Sequence, residues 1–500
     1  MFQGDHSGTL QGGEAAPILR PPALAHITPG DEQALQSAFS DWAAFEPGNR
    51  ESPGRKVLFI ASRFPPVASV GAIRVRKFAK YLPQYGWQPV VITGAMRQSA
   101  VNSQDARRAA DFDSLTDLPA DVAVHRLGPA MDHWPSYFGR RLSARLGAIT
   151  QRFGLDPGWW NNALQWRFLK IHDRFSFPDR GIWRLPAAVR LALALHRRHR
   201  FDAIFTSGMP FSDHLIGLVL HEIIRRPWLA DFRDPWVEYI HWEQWESAVG
   251  RRLTQAAEAA VVSRASRVIS VNEQMTHRFA DRYGRPSKFV TIENGFDPND
   301  FPARPNPTAS SEFRLLYAGS LYKTRSPLKL LEGFQRFLRQ TLGAQARCRL
   351  EFAGRPGPFA AALAAQGEAV QYIGMLSHAQ ALLRTSQADV NVILLPNLPG
   401  ALGDSTAKIY ECLGSGRALL AIIPPDGAAA QALAGFDGVW LCDPDDSEQI
   451  ALVLGDLYRR WLSGDLQPDR PAGALARMTR QAQARRLADC LNAVAAAKEC

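Results

Sequence analysis

Three features of this 500-residue sequence predict an α/β protein made of two doubly wound, parallel-sheet domains facing across a cleft. Short apolar, β-branched runs alternate with helical patterns, as they do in parallel sheets covered by helices on both faces. The alternation comes as two separate arrays, parted by the Pro-rich segment Phe301 to Pro307. The length accommodates roughly two to four domains.

The first 53 residues are rich in Gly, Pro, Ala and acidic side chains, and only Asp31 to Phe45 has a short helical pattern. An acidic tail of low order is expected there. The first strand is Lys56-Val-Leu-Phe-Ile-Ala61, followed by a loop from Ser62 to Val70, a helix from Ala72 to Tyr85 and a strand from Pro89 to Thr93. This is a βαβ unit, whose crossover should be right-handed. Strands Asp121–Leu127, Phe201–Thr206, Trp228–Phe232, Arg267–Val271 and Phe289–Ile292 continue the array, with helices Phe211–Arg225, Trp245–Ala265 and Asn272–Tyr283 between them. Residues 130–200 hold many aromatics and arginines but no clear strand, and read as a helical insertion.

The second array has strands Phe313–Ala318, Cys348–Ala353, Val370–Ile373, Val390–Leu395 and Ala418–Ile423. Helices Pro327–Leu342, Phe359–Gln366, His378–Ser386 and Thr406–Leu413 alternate with them. The domains are therefore expected at 54–303 and 304–480, with a terminal helix over 481–500. No repeat of 20–50 residues points to a solenoid or propeller.

Hydrophobic residues are 46% and charged residues 21%, which excludes a wholly disordered or collagen-like chain. The formal charge is +10 and is uneven: residues 1–54 sum to −5, while residues 138–200 hold thirteen basic and three acidic residues. That window equals the whole excess and suits an acidic partner. The five cysteines, Cys348, Cys412, Cys442, Cys490 and Cys500, make no Cys-x-x-Cys pair, which argues against a disulfide framework or zinc ribbon and for a reducing cytosol. No run reaches the ~20 apolar residues of a membrane span. The N-terminus lacks a basic region followed by an apolar run, so no signal peptide is expected and the protein reads as cytoplasmic.

In an open parallel sheet, ligands bind beyond the carboxyl ends of strands, where helix N-termini offer unpaired N–H groups to anions. Four segments fall there. Ser62 to Gly71 is a loop in which Gly71 allows close backbone approach, ahead of Arg74; the alternative is a plain turn. The dinucleotide fingerprint is absent. Trp228-Leu-Ala-Asp-Phe-Arg-Asp-Pro-Trp236 places Asp231, Arg233 and Asp234 at a strand edge, where they could take protons or pair with phosphate. The alternative is an Asp–Arg ion pair that pins the loop. Ala318-Gly-Ser-Leu-Tyr-Lys-Thr-Arg-Ser-Pro327 sets Gly319, Lys323 and Arg325 before a helix, as a pyrophosphate cradle or as ordinary surface cations. Asp404 to Gly416 holds Ser405 or Thr406 as a helix cap, with Lys408 and Glu411 on one face; the carboxylate suits a ribose diol, and the alternative is a surface ion pair.

The chain from about Arg55 to Leu433 resembles the two-domain GT-B glycosyltransferases of the glycosyltransferase 4 group. The pieces that carry the resemblance are the Gly71 loop, Phe177-Pro-Asp-Arg-Gly-Ile-Trp183, Thr206-Ser-Gly-Met-Pro-Phe-Ser-Asp-His214 and Ala230-Asp-Phe-Arg-Asp-Pro-Trp236. Ile292-Glu-Asn-Gly-Phe-Asp297, Tyr317-Ala-Gly-Ser-Leu-Tyr322 and Lys408-Ile-Tyr-Glu411 with Gly416 complete them. The resemblance implies a retaining, hexosyltransferase-type enzyme moving a sugar from a nucleotide-diphosphate sugar to an acceptor hydroxyl. It places the nucleotide on the C-terminal domain, its pyrophosphate on Lys323 and Arg325, its ribose on Glu411, and the Gly71 loop near the diphosphate. It also implies no metal and no cofactor besides the nucleotide-sugar co-substrate, since cations and helix dipoles can neutralise the leaving diphosphate.

The sequence departs from the family pattern at three places. Gly403, with Asp404 beside it, stands where the family often has a first glutamate eight positions before Glu411. Ser320 stands where many relatives have arginine. Arg233-Asp234 stands where many have histidine, which makes Asp234 the candidate polar catalytic residue, with Arg233 beside it and His214 a weaker candidate. In the basic window, apolar residues at 138, 142, 146, 149 and 153 keep helical spacing among Arg140, Arg141, Arg145 and Arg152. Such a helix can lie on an anionic bilayer, with Trp159, Trp160, Trp166 and Trp183 near headgroup depth, or simply cover the domain. A lipid-linked acceptor in surface or exopolysaccharide synthesis, met at the inner membrane face, follows as an expectation. No recognised nucleic-acid-binding pattern occurs. The alternatives are a non-hydrolysing nucleotide-sugar epimerase on the same fold and a degenerate GT-B binding or assembly module.

Overall fold

The computed structural model describes residues 54–94 except 66 and 68, 117–128 except 120, 145, 176–238, 247–302, 311–398, 402–471 except 404, and 473–499. The expected acidic tail, most of the amphipathic helix 138–153, Trp159, Trp160, Trp166 and Asp404 lie outside these residues.

The N-terminal domain carries a parallel sheet of seven strands. They are β1 (Arg55–Ile60), β2 (Trp87–Thr93), β3 (Ala123–Arg126), β4 (Ala203–Gly208), β5 (Trp228–Phe232), β6 (Arg267–Ser270) and β7 (Phe289–Thr291). The order is β3-β2-β1-β4-β5-β6-β7. The helices are α1 (Val70–Tyr81), α2 (Leu185–His199), α3 (Ser212–Ile224), α4 (Ala248–Arg264) and α5 (Glu273–Tyr283).

The C-terminal domain has six parallel strands: β8 (Phe313–Ala318), β9 (Cys348–Ala353), β10 (Val370–Gly374), β11 (Val390–Leu394), β12 (Ala418–Ile422) and β13 (Val439–Cys442). Their order is β10-β9-β8-β11-β12-β13. The helices are α6 (Leu328–Gln340), the short α7 (Ala344–Arg347) and α8 (Ala360–Ala364), α9 (His378–Gln387), α10 (Ala407–Gly414), α11 (Ala428–Leu433) and α12 (Ser447–Ser463). In each sheet the order reverses beside the first strand, between β1 and β4 and between β8 and β11. The crevice beyond such a switch point is where ligands bind in open α/β sheets.

Several boundaries differ from the sequence reading for local reasons. The helix expected to run to Tyr85 ends at Tyr81, and Leu82–Tyr85 continue as a 3-10 turn containing Pro83, which lacks an N–H to donate. Gly86 closes that turn in the left-handed region at φ 78°. Asn272, expected as a first helical residue, is an N-cap whose side chain accepts from the N–H of Met275, and Thr406, one of the two caps expected before α10, is its N-cap and accepts from the N–H of Lys408. The helix expected over Phe359–Gln366 shrinks to α8 after a 3-10 turn at Gly357–Phe359. The second array also runs past its expected last strand, through β13 and α12. The latter is capped by Asp446, whose carboxylate accepts from the N–H groups of Glu448 and Gln449.

The last helix, α13 (Arg480–Glu499), leaves the C-terminal domain and returns to the first. Its Ala484, Leu487, Ala488 and Leu491 join one core with Val57, Phe59, Phe78, Leu82 and Val91. Trp87 donates its ring N–H to Asn492 Oδ1 at 2.9 Å, so the buried indole leaves no unpaired polar atom.

Candidate active site at two sheet edges

At the N-terminal edge, every sequence-predicted residue is tied into the domain. Arg74, fully buried on the first turns of α1, grips Asp231 at the end of β5 with two bonds, Nε to Oδ2 at 3.1 Å and Nη2 to Oδ1 at 2.8 Å. The same guanidinium donates to the carbonyls of Ile292 and Glu293 at 2.8 Å each, joining α1, β5 and the end of β7. The pinning ion pair anticipated in this motif therefore exists, but its arginine is Arg74 rather than Arg233.

Arg233 donates Nε to Gly208 O at 2.8 Å and Nη2 to Met209 O. Its guanidinium lies over Gly71: a Cβ there would sit 1.2 Å from Nη1. Gly71 thus makes room for Arg233. Burial pulls the Arg233 pKa below its usual value, and Asp234, half-buried beside it, opposes that shift.

His214 on α3 is fully buried, stacked on Phe232 at 4.4 Å, with Nδ1 2.8 Å from Thr206 Oγ1. Burial pushes its pKa down to about 3, so the ring is neutral at physiological pH. Thr206 Oγ1 also accepts from Trp228 Nε1 at 2.9 Å, and His214 Nε2 has no hydrogen-bond partner among the described residues. Neighbouring Asp213 accepts from the Ser62 N–H at 2.7 Å and from its hydroxyl. Asp179 accepts from Ser212 Oγ at 2.7 Å, so the Phe177–Trp183 motif braces the start of α3.

The C-terminal edge is more open. Lys323 and Ser320 are exposed, and Arg325 is half-buried with its guanidinium 5.0 Å over the Tyr322 ring. The backbone of this loop is less available than expected. Gly319 donates to Ala353 O at 2.7 Å and Leu321 to Arg355 O at 2.8 Å, so these two N–H groups are already taken. Gly319 is needed for closeness, since a Cβ on it would lie 2.8 Å from the Tyr317 hydroxyl.

From α10, Lys408 reaches back to donate to Ala318 O, under the same loop; burial lowers its pKa, Glu411 opposes that, and Arg325 adds to it. Lys408, Glu411 and Arg325 therefore share one electrostatic site. Ser405 is half-buried just before the Thr406 cap. Glu411 Oε1 lies 3.0 Å from His378 Nε2. Burial alone would raise the Glu411 pKa, but the hydrogen bond and charge of His378, with Lys408, hold it below the usual value.

Gly403, the residue in place of a first glutamate, closes a contact between the domains. Its carbonyl accepts from Asn272 Nδ2 at 2.8 Å, and a Cβ would lie 2.5 Å from Arg278 Nη2. Three carboxylates, Asp117, Asp297 and Asp300, also converge, a grouping that sequence spacing did not reveal. The cation between them is the buried Lys77 ammonium, at 2.6, 2.6 and 2.5 Å. Burial would raise the Asp297 pKa, but Lys77 and the Tyr81 hydroxyl bring it down to about 2.

The family model for Glycosyltransferase Family 4 matches residues 161–300, which span β4 to β7. The two-domain architecture is that of the GT-B glycosyltransferases, and residues 161–300 are similar to Glycosyltransferase Family 4. A glycosyltransferase from Rickettsia africae superposes on this chain with a TM-score of 0.56 at 13% identity, covering 89% of this chain and 99% of its own. Anabaena HepE, solved with UDP, has a TM-score of 0.55 at 15% identity over 88% and 100% of the two chains. HepE has also been solved with UDP and glucose and with UDP-glucose. A Listeria monocytogenes protein assigned as a UDP-N-acetylglucosamine 2-epimerase reaches 0.50 at 11% identity, over 88% and 96%. At these identities the likenesses carry the fold. No curated protein matches this chain.

Sequence reasoning missed three members of this neighbourhood. Arg74 was noted only as following Gly71. His378 opens a helix just beyond a strand, the position where functional groups were sought, and that was an available signal. Arg480 comes from the far end of the chain, and no local pattern marks it. It is buried, its N–H donates to Phe296 O at 2.7 Å, and its Nη1 lies 3.4 Å from Asn294 Oδ1. Burial, then the charge of Arg74, lowers its pKa to about 10.

Proposed function

We propose that this glycosyltransferase moves a hexose, with retention, from a UDP-linked donor to an acceptor hydroxyl, and that the donor binds the C-terminal edge. The observation that carries the reading is the convergence of Arg325, Lys408 and Glu411 at the switch point of the second sheet, with Lys323 exposed on the same loop. Arg325 and Lys323 would hold the diphosphate and neutralise the charge that develops as the sugar–oxygen bond breaks, with no metal required. Glu411 would accept hydroxyl hydrogens from the ribose. Asp234 is the candidate group for the acceptor's proton, while His214, neutral and enclosed, would shape the pocket. HepE's complexes with UDP and UDP-glucose support the choice of nucleotide and sugar class.

The acceptor is proposed to be a lipid-linked glycan of surface polysaccharide synthesis, reached by peripheral contact with the anionic inner membrane face. The charge of residues 138–200 supports this. No helix among the described residues is long and apolar enough to cross a membrane.

A thermal-shift comparison of UDP, GDP, ADP and dTDP tests the donor, since a ligand that binds only the folded state raises its apparent stability. UDP should give the largest shift. Incubation with UDP-glucose and a lipid-linked glycan should yield glycosylated lipid. A free 2-epimer from UDP-N-acetylglucosamine would identify the epimerase instead, and nucleotide binding without turnover would identify a binding module. Flotation with anionic liposomes at low salt tests the membrane contact, which fails if the protein stays with the soluble fraction.

A further inference from the structure

We infer that His378 is a positioning residue for the nucleotide: it fixes one oxygen of Glu411 so that the other is presented to the ribose hydroxyls. The inference rests on the reading above, in which Glu411 meets the ribose. His378 is the first residue of α9, and its backbone is set by a reciprocal cap. The Ser377 N–H donates to Gln380 Oε1 at 3.0 Å, and the Gln380 N–H donates to Ser377 Oγ at 3.3 Å. From this anchored position Nε2 reaches Glu411 Oε1 at 3.0 Å. Among the described residues, Oε2 of Glu411 makes no hydrogen bond. Both side chains keep about a fifth of their surface open, 18% for His378 and 20% for Glu411, so the pair is not sealed from solvent.

The arrangement has a physical consequence. A free glutamate side chain samples several rotamers and must lose that freedom on gripping a diol. A glutamate already held through one oxygen has less to lose, which raises affinity without a new contact to the ligand. His378 enters from the loop after β10, outside the two loops that flank the switch point, so it does not itself need to touch the nucleotide. The charged groups around the pair are Lys408 and Arg480 near Glu411, and Asp300 and Arg76 on the side of His378.

The test is isothermal titration of the full chain with UDP and with 2′-deoxy-UDP, for the unsubstituted protein and for His378→Ala, His378→Leu, His378→Gln and Glu411→Ala. The unsubstituted protein should prefer UDP by about tenfold, the size of one hydrogen bond to a charged group. His378→Ala and His378→Leu should lose most of that preference while binding 2′-deoxy-UDP with nearly unchanged affinity. His378→Gln should recover it, because its amide N–H can donate to the same oxygen. If both donor-less variants keep the full preference while Glu411→Ala abolishes it, the positioning role is wrong and the ribose assignment stands. If the unsubstituted protein shows no preference, or Glu411→Ala retains it, the ribose assignment fails and the inference falls with it.

Discussion

At the N-terminal sheet edge Arg74, Asp231 and His214 are fully buried and Arg233 is pinned by two carbonyls, whereas at the C-terminal edge Lys323 is exposed and Arg325, Lys408 and Glu411 are only half-buried. Both edges carry charge at the ends of parallel strands, and Arg233 is half-buried like Arg325, but the first edge alone seals an ion pair, Arg74 with Asp231, away from solvent. Position after a strand therefore marks two kinds of residue. Some hold the crevice in shape, and others remain for the ligand. The contrast can be broken by substitutions that should act on stability at one edge and on binding at the other.

The largest effect is expected from Arg74→Ala. Removing one partner of a buried pair leaves the other charge uncompensated, at roughly 3–5 kcal/mol. A urea midpoint close to that of the unsubstituted protein would show that Asp231 finds other partners. At the opposite edge, Glu411→Ala and the double variant Lys323→Ala/Arg325→Ala should each weaken UDP binding by about 10–100-fold, with unchanged circular dichroism. Unaltered affinity in both would remove the C-terminal edge as the donor site.

A pair of glycines gives a smaller test. Gly71→Ala drives a methyl into an Arg233 guanidinium fixed by Gly208 and Met209, and should cost about 1–3 kcal/mol. Gly403→Ala meets only the tip of Arg278, a long side chain held by a partly exposed ion pair with Glu238, and should cost less than about 0.5 kcal/mol. Equal costs would mean that the two contacts are equally rigid.

The last pair of effects lies in pH. His214 has a folded pKa near 3 against an ordinary 6.5, so its contribution to stability is complete above pH 6.5 and is lost as pH falls toward 3. His378 runs the other way. Burial would lower its pKa, but the hydrogen bond and charge of Glu411 raise it above 6.5. Its contribution is complete below pH 6.5 and is lost as pH rises through the folded value. Urea midpoints between pH 4 and 8 should show that His214→Gln flattens the acid side and His378→Gln the alkaline side. Matching curves for the two variants would contradict the opposite environments.

Much of the fold was legible because buried parallel strands announce themselves as uninterrupted apolar runs: β5, β8 and β9 begin and end where the sequence placed them. The edge strand β13 has an apolar run of only four residues, Val439-Trp-Leu-Cys442, and is partly exposed, and it was missed together with the helix that follows it. The candidate donor residues Arg325, Lys408 and Glu411 were legible because each follows a strand within one local segment. Arg233 over Gly71, Arg74 on Asp231 and His378 on Glu411 were not, because each pairing joins segments far apart in the chain. The substitution of Gly403 for a glutamate read as a gap in the site, and the structure shows it as a contact between domains.

Hydrogen–deuterium exchange with and without UDP addresses the central claim most directly. The account predicts slower exchange in residues 320–326 and 405–411, with at most a minor change around Gly71. Protection confined to 62–74 and 207–214, with none in the C-terminal segments, would contradict it.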